Sequence, residues 1–452
     1  VTASASSSGA DLHASLLDAL ERTLAYAARE VPYYRERVHP GARLEEFPLV
    51  DRDAVQHHFF EFLAAARFPD FVVMSGGTTG QVVNATIRNE EEYDSVHEFL
   101  TGRPAGEPPA LDKIDHFGVD VYFNTNGYAP RKAKGWPLVS VPLERQVHVE
   151  LVTRLLTDGF ELAGRVIPAT YLQAQNALHR VLAGYYAVTE HTPDAFRLDS
   201  VFGYGSHVSR VWHERLRALW GADVVTSYGL SEFAGANAAP CAACGALHYL
   251  TAWQEFLSPV DLSPVESGDA LLVLTSLVPF VTVQPRLRYV TGDFVTVVGR
   301  CTETGLVGFR FRGREASSVW ERHDDTVRVL LSEVDLLEVL DALDDVHARR
   351  HPAEIQLWED GRLGQPPFRI GLPQFGIDGS AFAGEGTVRV RVEVAFDPDD
   401  EPGRARSFST RLLDALAAEV PALTELVAVG EASVAVELLA PGGLRHPLKT
   451  SA

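Results

Sequence analysis

Cysteine is scarce in this chain of 452 residues: Cys241, Cys244 and Cys301 are all it has. So low and odd a count excludes a disulfide framework. Lysine is scarce too, since Lys113, Lys132, Lys134 and Lys449 are the only lysines among 40 basic residues. No stretch approaches the roughly 18 consecutive apolar residues of a membrane span. The opening residues 1–10 carry neither the charged nor the apolar region of a secretory leader. Basic residues fall well short of the 61 acidic ones, leaving a net charge of −21. Such a field repels phosphate backbones and anionic lipid heads, which speaks against nucleic acid and membranes as partners. These absences make a cytoplasmic protein the expectation.

With 46% hydrophobic and 22% charged residues the chain can bury a large core, and its length suggests two or three domains at about 150 residues each. From Ala10 to Arg37 apolar residues recur at helical spacing (Leu12, Leu16, Leu17, Leu20, Leu24, Ala27). Between about Phe68 and Phe311 short apolar runs, such as Phe71–Met74, Val119–Phe123, Leu198–Phe202 and Ala270–Leu274, alternate with helical stretches. Val147–Leu156 and Leu172–Tyr186 are two of the helices. The alternation predicts an α/β domain with helices on both faces of its sheet. After Arg312 the texture changes. Strands are expected at Thr326–Leu331, Ala353–Trp358, Thr387–Phe396 and Ser433–Leu439, and helices at Val334–Val346 and Ser407–Leu426. Thr387–Phe396 alternates strictly, with Val388, Val390, Val392 and Val394 on one face. The division expected is a large α/β N-terminal domain, 1–312, and a small α+β C-terminal domain, 313–452.

Three segments carry chemistry. In Met74–Gln81 three glycines and three hydroxyl side chains follow an apolar run, a composition that can curl backbone amides around an anion or serve as a plain hairpin. In Ser227–Phe233 an aromatic precedes a hydroxyl and a carboxylate. The ring can stack on a purine, and hard oxygens suit Mg²⁺, or the loop simply packs. In Arg288–Asp293, followed by Phe311–Glu315, a carboxylate and an arginine fork can hold ribose hydroxyls or form an ordinary ion pair. Cys241-Ala242-Ala243-Cys244 with His248 and Cys301 makes a Cys₃His set that would close a tetrahedral structural zinc site; the alternative is three small buried residues.

In order and spacing these segments resemble the adenylate-forming superfamily of acyl-CoA synthetases, and within it the phenylacetate–CoA ligase group. Ser-Gly-Gly-Thr-Thr-Gly (75–80) is similar to that family's phosphate loop, and Tyr-Gly-Leu-Ser-Glu (228–232) to its adenine and Mg²⁺ motif. Tyr-Val-Thr-Gly-Asp (289–293) resembles its ribose motif and Gly-Arg-Glu (313–315) its hinge. Further likenesses are Val31–Glu36, Val166–Leu172 and Phe202–Ser206, so the resemblance spans nearly the whole chain.

The resemblance implies ATP and Mg²⁺ as cofactors, with CoA as a further co-substrate. Ser75, Gly76, Gly77, Thr78, Thr79 and Gly80 would hold the phosphates. Tyr228 and Gly229 would line adenine, Ser231 would touch the α-phosphate and Glu232 would ligate Mg²⁺. Asp293 and Arg314 would hold the ribose, while Asn124, Tyr128 and Tyr204 would line the acid pocket. Lys449, the only lysine after Lys134, would be the catalytic lysine, carried by a mobile C-terminal domain. The implied activity is adenylation of an aromatic or other small organic acid, followed by transfer to CoA or a carrier thiol. Homodimers would be unsurprising. Departures fall at Gln81, where a lysine often follows the loop, at Ala316, where the hinge often has an acid, and at Gly203-Tyr204-Gly205, which lacks a frequent glutamate. They leave two further readings: activation of nitrite for diazotisation or N–N bond formation on an aryl amine in specialised metabolism, and a non-catalytic nucleotide-binding protein.

Overall fold

A computed structural model describes residues 9–65, 67, 69–74, 85–101, 113–123, 137–162, 164–233, 237–323, 326–359 and 361–444. The chain is mixed α/β and divides into two compact units. The first comprises Val1–Pro109, Asn124–Pro137 and Ser227–Phe311, and the second Ala110–Phe123, Leu138–Thr226 and Arg312–Ala452. Among the described residues no helix is long and apolar enough to cross a membrane.

The first unit opens with the helix Gly9–Glu30. The sequence pattern continues it to Arg37, but Pro32 follows Val31, whose extended backbone (φ −100°, ψ 112°) breaks the run before the short turn Pro32–Arg35. Its main sheet runs in the order Tyr228–Gly229, Asn237–Pro240, Leu247–Tyr249, Val307–Arg314, Tyr289–Arg300, Gly268–Ser276, with Ala252–Leu257 paired to the last. Tyr34, Phe47, Phe62, Phe233, Tyr289 and Phe309 fill the core against one face. A separate hairpin pairs Phe71–Met74 with Ala85–Arg88.

In the second unit five parallel strands stand in the order Leu138–Pro142, Phe117–Tyr122, Ala169–Gln175, Ser200–Tyr204, Asp223–Thr226. The order reverses beside Phe117–Tyr122, which makes a doubly wound sheet with its switch point there. Helices Gln146–Thr157, Asn176–Val188 and Arg210–Trp220 supply the covering layers. The Leu172–Tyr186 helix of the sequence reading begins only at Asn176. Leu172 and Ala174 instead alternate into the sheet core from the central strand.

Beyond Arg312 the second unit builds another core. Val388, Val390, Val392 and Val394 are fully buried, as their alternation requires, and each stabilises by about 2 kcal/mol. The strand Thr387–Glu393, with Val394 just past its end, lies antiparallel to Phe375–Asp378 and parallel to Ser433–Leu439. Helices Glu333–Ala342, Pro402–Glu419 and Pro421–Ala428 contribute Leu336, Phe408, Leu412 and Leu423 to it. The first of these stops earlier than Val346 because Leu343 turns extended (ψ 137°). Ala353–Trp358 is a helix rather than the expected strand. Pro352 stands at its first turn, and His351 and Glu354 form a reciprocal cap. It delivers Ala353, Leu357 and Trp358 to the core of the parallel sheet.

Candidate functional site

The Thr291-Gly292-Asp293 segment explains itself locally. Val290 and Phe294 face Val273 and Leu271, so three residues oppose the single Leu272 and the strand bulges. Gly292 sits at φ +73°, where only glycine is unstrained. The Thr291 hydroxyl donates to the Leu272 carbonyl at 2.8 Å and accepts the Asp293 amide at 3.1 Å. The bulge thereby re-aims a buried carboxylate out of the ladder. Asp293 accepts a short hydrogen bond from the Tyr228 hydroxyl. Burial, reinforced by the negative charge of Asp293, holds the Tyr228 hydroxyl protonated well above its ordinary range. The Tyr228 ring lies nearly parallel to Phe311, centroids 5.2 Å apart, and is fixed edgewise by Tyr249 and Phe309.

Glu232 lies in the tight turn Ser231–Phe233. Its carbonyl accepts from the Arg286 guanidinium at 2.7 Å and from the Thr86 hydroxyl at 3.2 Å, and its carboxylate faces the Tyr289 hydroxyl at 3.4 Å. Burial, then the charge of Glu232, raises Tyr289 in turn. Tyr249 is raised by burial and then by Asp293 and Glu232. Two carboxylates and three tyrosines are thus gathered from three separate segments of the chain. Thr86, Tyr249, Arg286, Tyr289 and Phe311 had no assigned role in the sequence reading. Tyr289 and Phe311 lie inside quoted segments, whereas Thr86, Tyr249 and Arg286 give no local signal.

The remaining assignments divide. Ser75, Gly76, Gly77, Thr78, Thr79 and Gly80 lie outside the described residues, as do Asn124, Tyr128 and Lys449. Gly229 pairs with Asn237 beside the site. Ser231 opens the turn that holds Glu232. Arg314 ends the Val307–Arg314 strand and belongs to the second unit. Tyr204, also in that unit, closes the Ser200–Tyr204 strand at the carboxyl edge of the parallel sheet, next to Gln175. Ligands of doubly wound sheets bind along that edge. Gly203 is required there, since a Cβ would come within 2.0 Å of Asn176 Oδ1.

Cys241, Cys244, His248 and Cys301 converge in the first unit, every donor atom within 4.8 Å of the others. Cys241 Sγ and Cys301 Sγ are 3.8 Å apart, and Cys244 Sγ lies 3.2 Å from His248 Nε2. A tetrahedron with Zn–S bonds of about 2.3 Å has S–S edges of about 3.8 Å, the separation of Cys241 and Cys301, and the donor types suit zinc. Two like turns present them. The Cys241 amide bonds Ala246 O and Gly245 N–H returns to Cys241 O; Cys301, Leu306 and Gly305 repeat this, with both glycines at positive φ. Thr304 occupies in the second turn the place of Cys244 in the first, and His248 supplies the fourth donor. Burial pushes the Cys301 thiol up, but Thr304 and Glu303 donors bring it to about 7; burial also holds His248 toward its neutral, ligating form. A Cβ at Gly308 would come within 2.9 Å of His248 Cε1, so that glycine makes room for the imidazole.

No family model and no curated protein matches the chain by sequence. Solved structures are similar over almost its whole length. 2-Hydroxyisobutyryl-CoA ligase in the postadenylation state, in complex with R3-HIB-AMP, is 14% identical, with a TM-score of 0.61 over 97% of this chain and 88% of that one. An acyl acid amido synthetase in complex with 2,4-DB is 14% identical, with a TM-score of 0.54 over 96% and 90%. The chain therefore has the fold of the adenylate-forming ligases.

Proposed function

We propose that this chain is an ATP-dependent ligase that adenylates a small organic acid, releasing pyrophosphate, and passes the acyl group to CoA or another thiol. The observation that carries the reading is the pairing of Tyr228 with Asp293 beside Glu232, on a fold whose solved examples include a CoA ligase bound to an acyl-AMP. Tyr228 offers a braced aromatic surface to adenine and Asp293 accepts from ribose hydroxyls. Glu232 supplies a hard oxygen to Mg²⁺, which when bound offsets phosphate charge. The acid's carboxylate oxygen attacks the α-phosphorus as the bond to the bridging oxygen breaks. Both partners are anionic, so positive groups must meet the charge that develops. We assign that task to Lys449, with Ser75–Gly80, Ser231 and Arg314 on the nucleotide and Asn124, Tyr128 and Tyr204 on the acid. In this reading residues 1–312 bind the substrates and 313–452 carry the lysine.

The same reading gives Cys241, Cys244, His248 and Cys301 a zinc ion that pins the loops flanking the nucleotide site. It leaves no open coordination position and so takes no part in the reaction. Metal analysis of protein purified without chelator should give one equivalent of zinc; well under one removes it.

The test of function is pyrophosphate release with ATP and Mg²⁺ against aryl and short-chain acids, and against nitrite with aryl amines, each with and without CoA. Carboxylate-dependent release, lost by orders of magnitude in Lys449→Ala with ATP affinity little changed, supports the reading. Release with nitrite alone would redirect it to nitrogen chemistry, and ATP binding with silence throughout would leave a nucleotide-binding protein.

A further inference from the structure

Arg286 lies outside every motif, yet it is among the most completely buried residues of the first unit, with no exposed surface. A guanidinium stays charged under such burial and needs its donors met, so its position reports what it holds. One terminal nitrogen donates to the Glu232 carbonyl at 2.7 Å and the other approaches Gln284 Oε1 at 3.4 Å. Gln284 Oε1 also accepts the Ile87 amide at 3.0 Å, and its amide nitrogen donates to Phe59 O at the same distance. Thr86, the neighbour of Ile87, places its hydroxyl on the same Glu232 carbonyl. Arg286 is itself anchored: its amide donates to Ser276 Oγ at 3.1 Å and its carbonyl accepts the Ser276 amide at 2.8 Å. The guanidinium therefore joins the end of the Gly268–Ser276 strand to the turn that carries Glu232 and, through Gln284, to the Ala85–Arg88 strand.

We propose that Arg286 is a positioning residue for the divalent cation: by clamping the Glu232 carbonyl it pre-sets the Glu232 carboxylate to receive Mg²⁺. The inference rests on the reading of Glu232 as the cation's ligand. The clamp acts on the backbone, and the Tyr289 hydroxyl meets the carboxylate at 3.4 Å. With both ends of the residue held, little ordering is left to be done when the cation arrives. A positive charge nearby disfavours a second cation through space, so the guanidinium can raise affinity only through geometry. That opposition makes the direction of the effect diagnostic.

The test is calorimetric binding of ATP to the full chain with Mg²⁺ and, separately, with EDTA. The ratio of the two dissociation constants is the tightening due to the cation, and it requires no acid and no turnover. Arg286→Met keeps the bulk and loses the charge-assisted hydrogen bond. It should reduce the ratio by at least about tenfold, with metal-free ATP affinity within about twofold of the parent. Arg286→Lys, which can still reach the carbonyl, should recover part of the loss. Thr86→Val, which removes the other donor, should move the ratio the same way by a few-fold and serves if Arg286→Met does not fold. An unchanged or larger ratio in Arg286→Met, beside a collapsed ratio in Glu232→Gln, overturns the proposal and leaves Arg286 a packing residue. An unchanged ratio in Glu232→Gln overturns the cation assignment itself, and this inference with it.

Discussion

Two buried arginines, one in each unit, do different things. In the second unit Arg180 faces Asp341 through both terminal nitrogens, at 3.1 and 2.7 Å, with both side chains excluded from solvent. Ser209 donates to the same carboxylate at 2.7 Å, Arg369 lies 3.6 Å from its other oxygen, and Trp212 lies under the Arg180 guanidinium. The pair joins the helix Asn176–Val188 to Glu333–Ala342, closing the parallel-sheet layer onto the segment after Arg312. In the first unit Arg286 donates to the side-chain oxygen of Gln284 and to a carbonyl in the turn that carries the half-buried Glu232 carboxylate. A buried charge answered by a carboxylate fork fixes two elements together. A buried charge answered by a main-chain oxygen fixes a loop, and here the loop holds a candidate ligand.

The largest effect should come from breaking the first arrangement. Asp341→Ala leaves Arg180 buried without its carboxylate fork and should cost about 3–5 kcal/mol, read as a lower urea midpoint at unchanged slope. Replacing both, as Arg180→Met with Asp341→Leu, should restore most of that loss. If the double variant is as unstable as the single one, the pair is not what joins the helices.

Next comes acid, which probes the same unit. His179 is fully buried, donates to Phe202 O at 3.1 Å, and is held down to about 4 by burial, against 6.5 for a free imidazole. The folded pKa is depressed, so the unfolded chain binds the extra proton first. The stabilisation is complete above pH 6.5 and drains away as pH falls toward 4, by about 3 kcal/mol in all. His179→Gln should flatten that slope; a parent chain equally stable at pH 7 and 4.5 would contradict it.

These contrasts also mark what could be read in advance. Asp293 was legible as a candidate because it stands in a contiguous motif, whereas the bulge that re-aims it at Thr291-Gly292-Asp293 emerged only with the strand pairing. The cysteines were legible by their number, and the valines of Thr387–Glu393 by their period. Arg286 was not, because Glu232, whose carbonyl it holds together with Thr86, lies far away in sequence and only the folded chain brings the three together. The Ala353–Trp358 run was misjudged because a short apolar stretch suits strand and helix equally; the decisive signal was the His351-Pro352-Ala353-Glu354 cap ahead of it. The strand Ala169–Gln175 was absorbed into its helix for a related reason, since its buried alternation runs straight into the helical period at Asn176.

In the first unit chemistry should suffer more than stability. Glu232→Gln keeps the carbonyl that Arg286 and Thr86 hold, and an amide can still accept from Tyr289. Stability should therefore change by less than about 1 kcal/mol. The rate of pyrophosphate release should fall by about a hundredfold, because a neutral amide is a poor ligand for a hard cation. A variant that melts early and keeps its residual activity would place Glu232 with Arg180, among the residues that build the fold.

The smallest effect separates the two halves of Tyr228. Its ring is braced by Phe311, Phe309 and Tyr249, while its hydroxyl serves Asp293. Tyr228→Phe preserves the braced ring and removes only the donor, so the apolar contacts of the site persist. A hydrogen bond to a charged acceptor contributes about 1.5–3 kcal/mol, and neighbouring donors should recover part of that at Asp293. The expected loss of stability is about 1 kcal/mol, with ATP affinity changed by less than about fivefold because ribose hydroxyls can take the vacated position on the carboxylate. Tyr228→Ala discards the ring as well and should weaken ATP further, by the stacking surface it deletes. If Phe and Ala weaken ATP equally, the hydroxyl carries the contact and adenine does not lie on this ring.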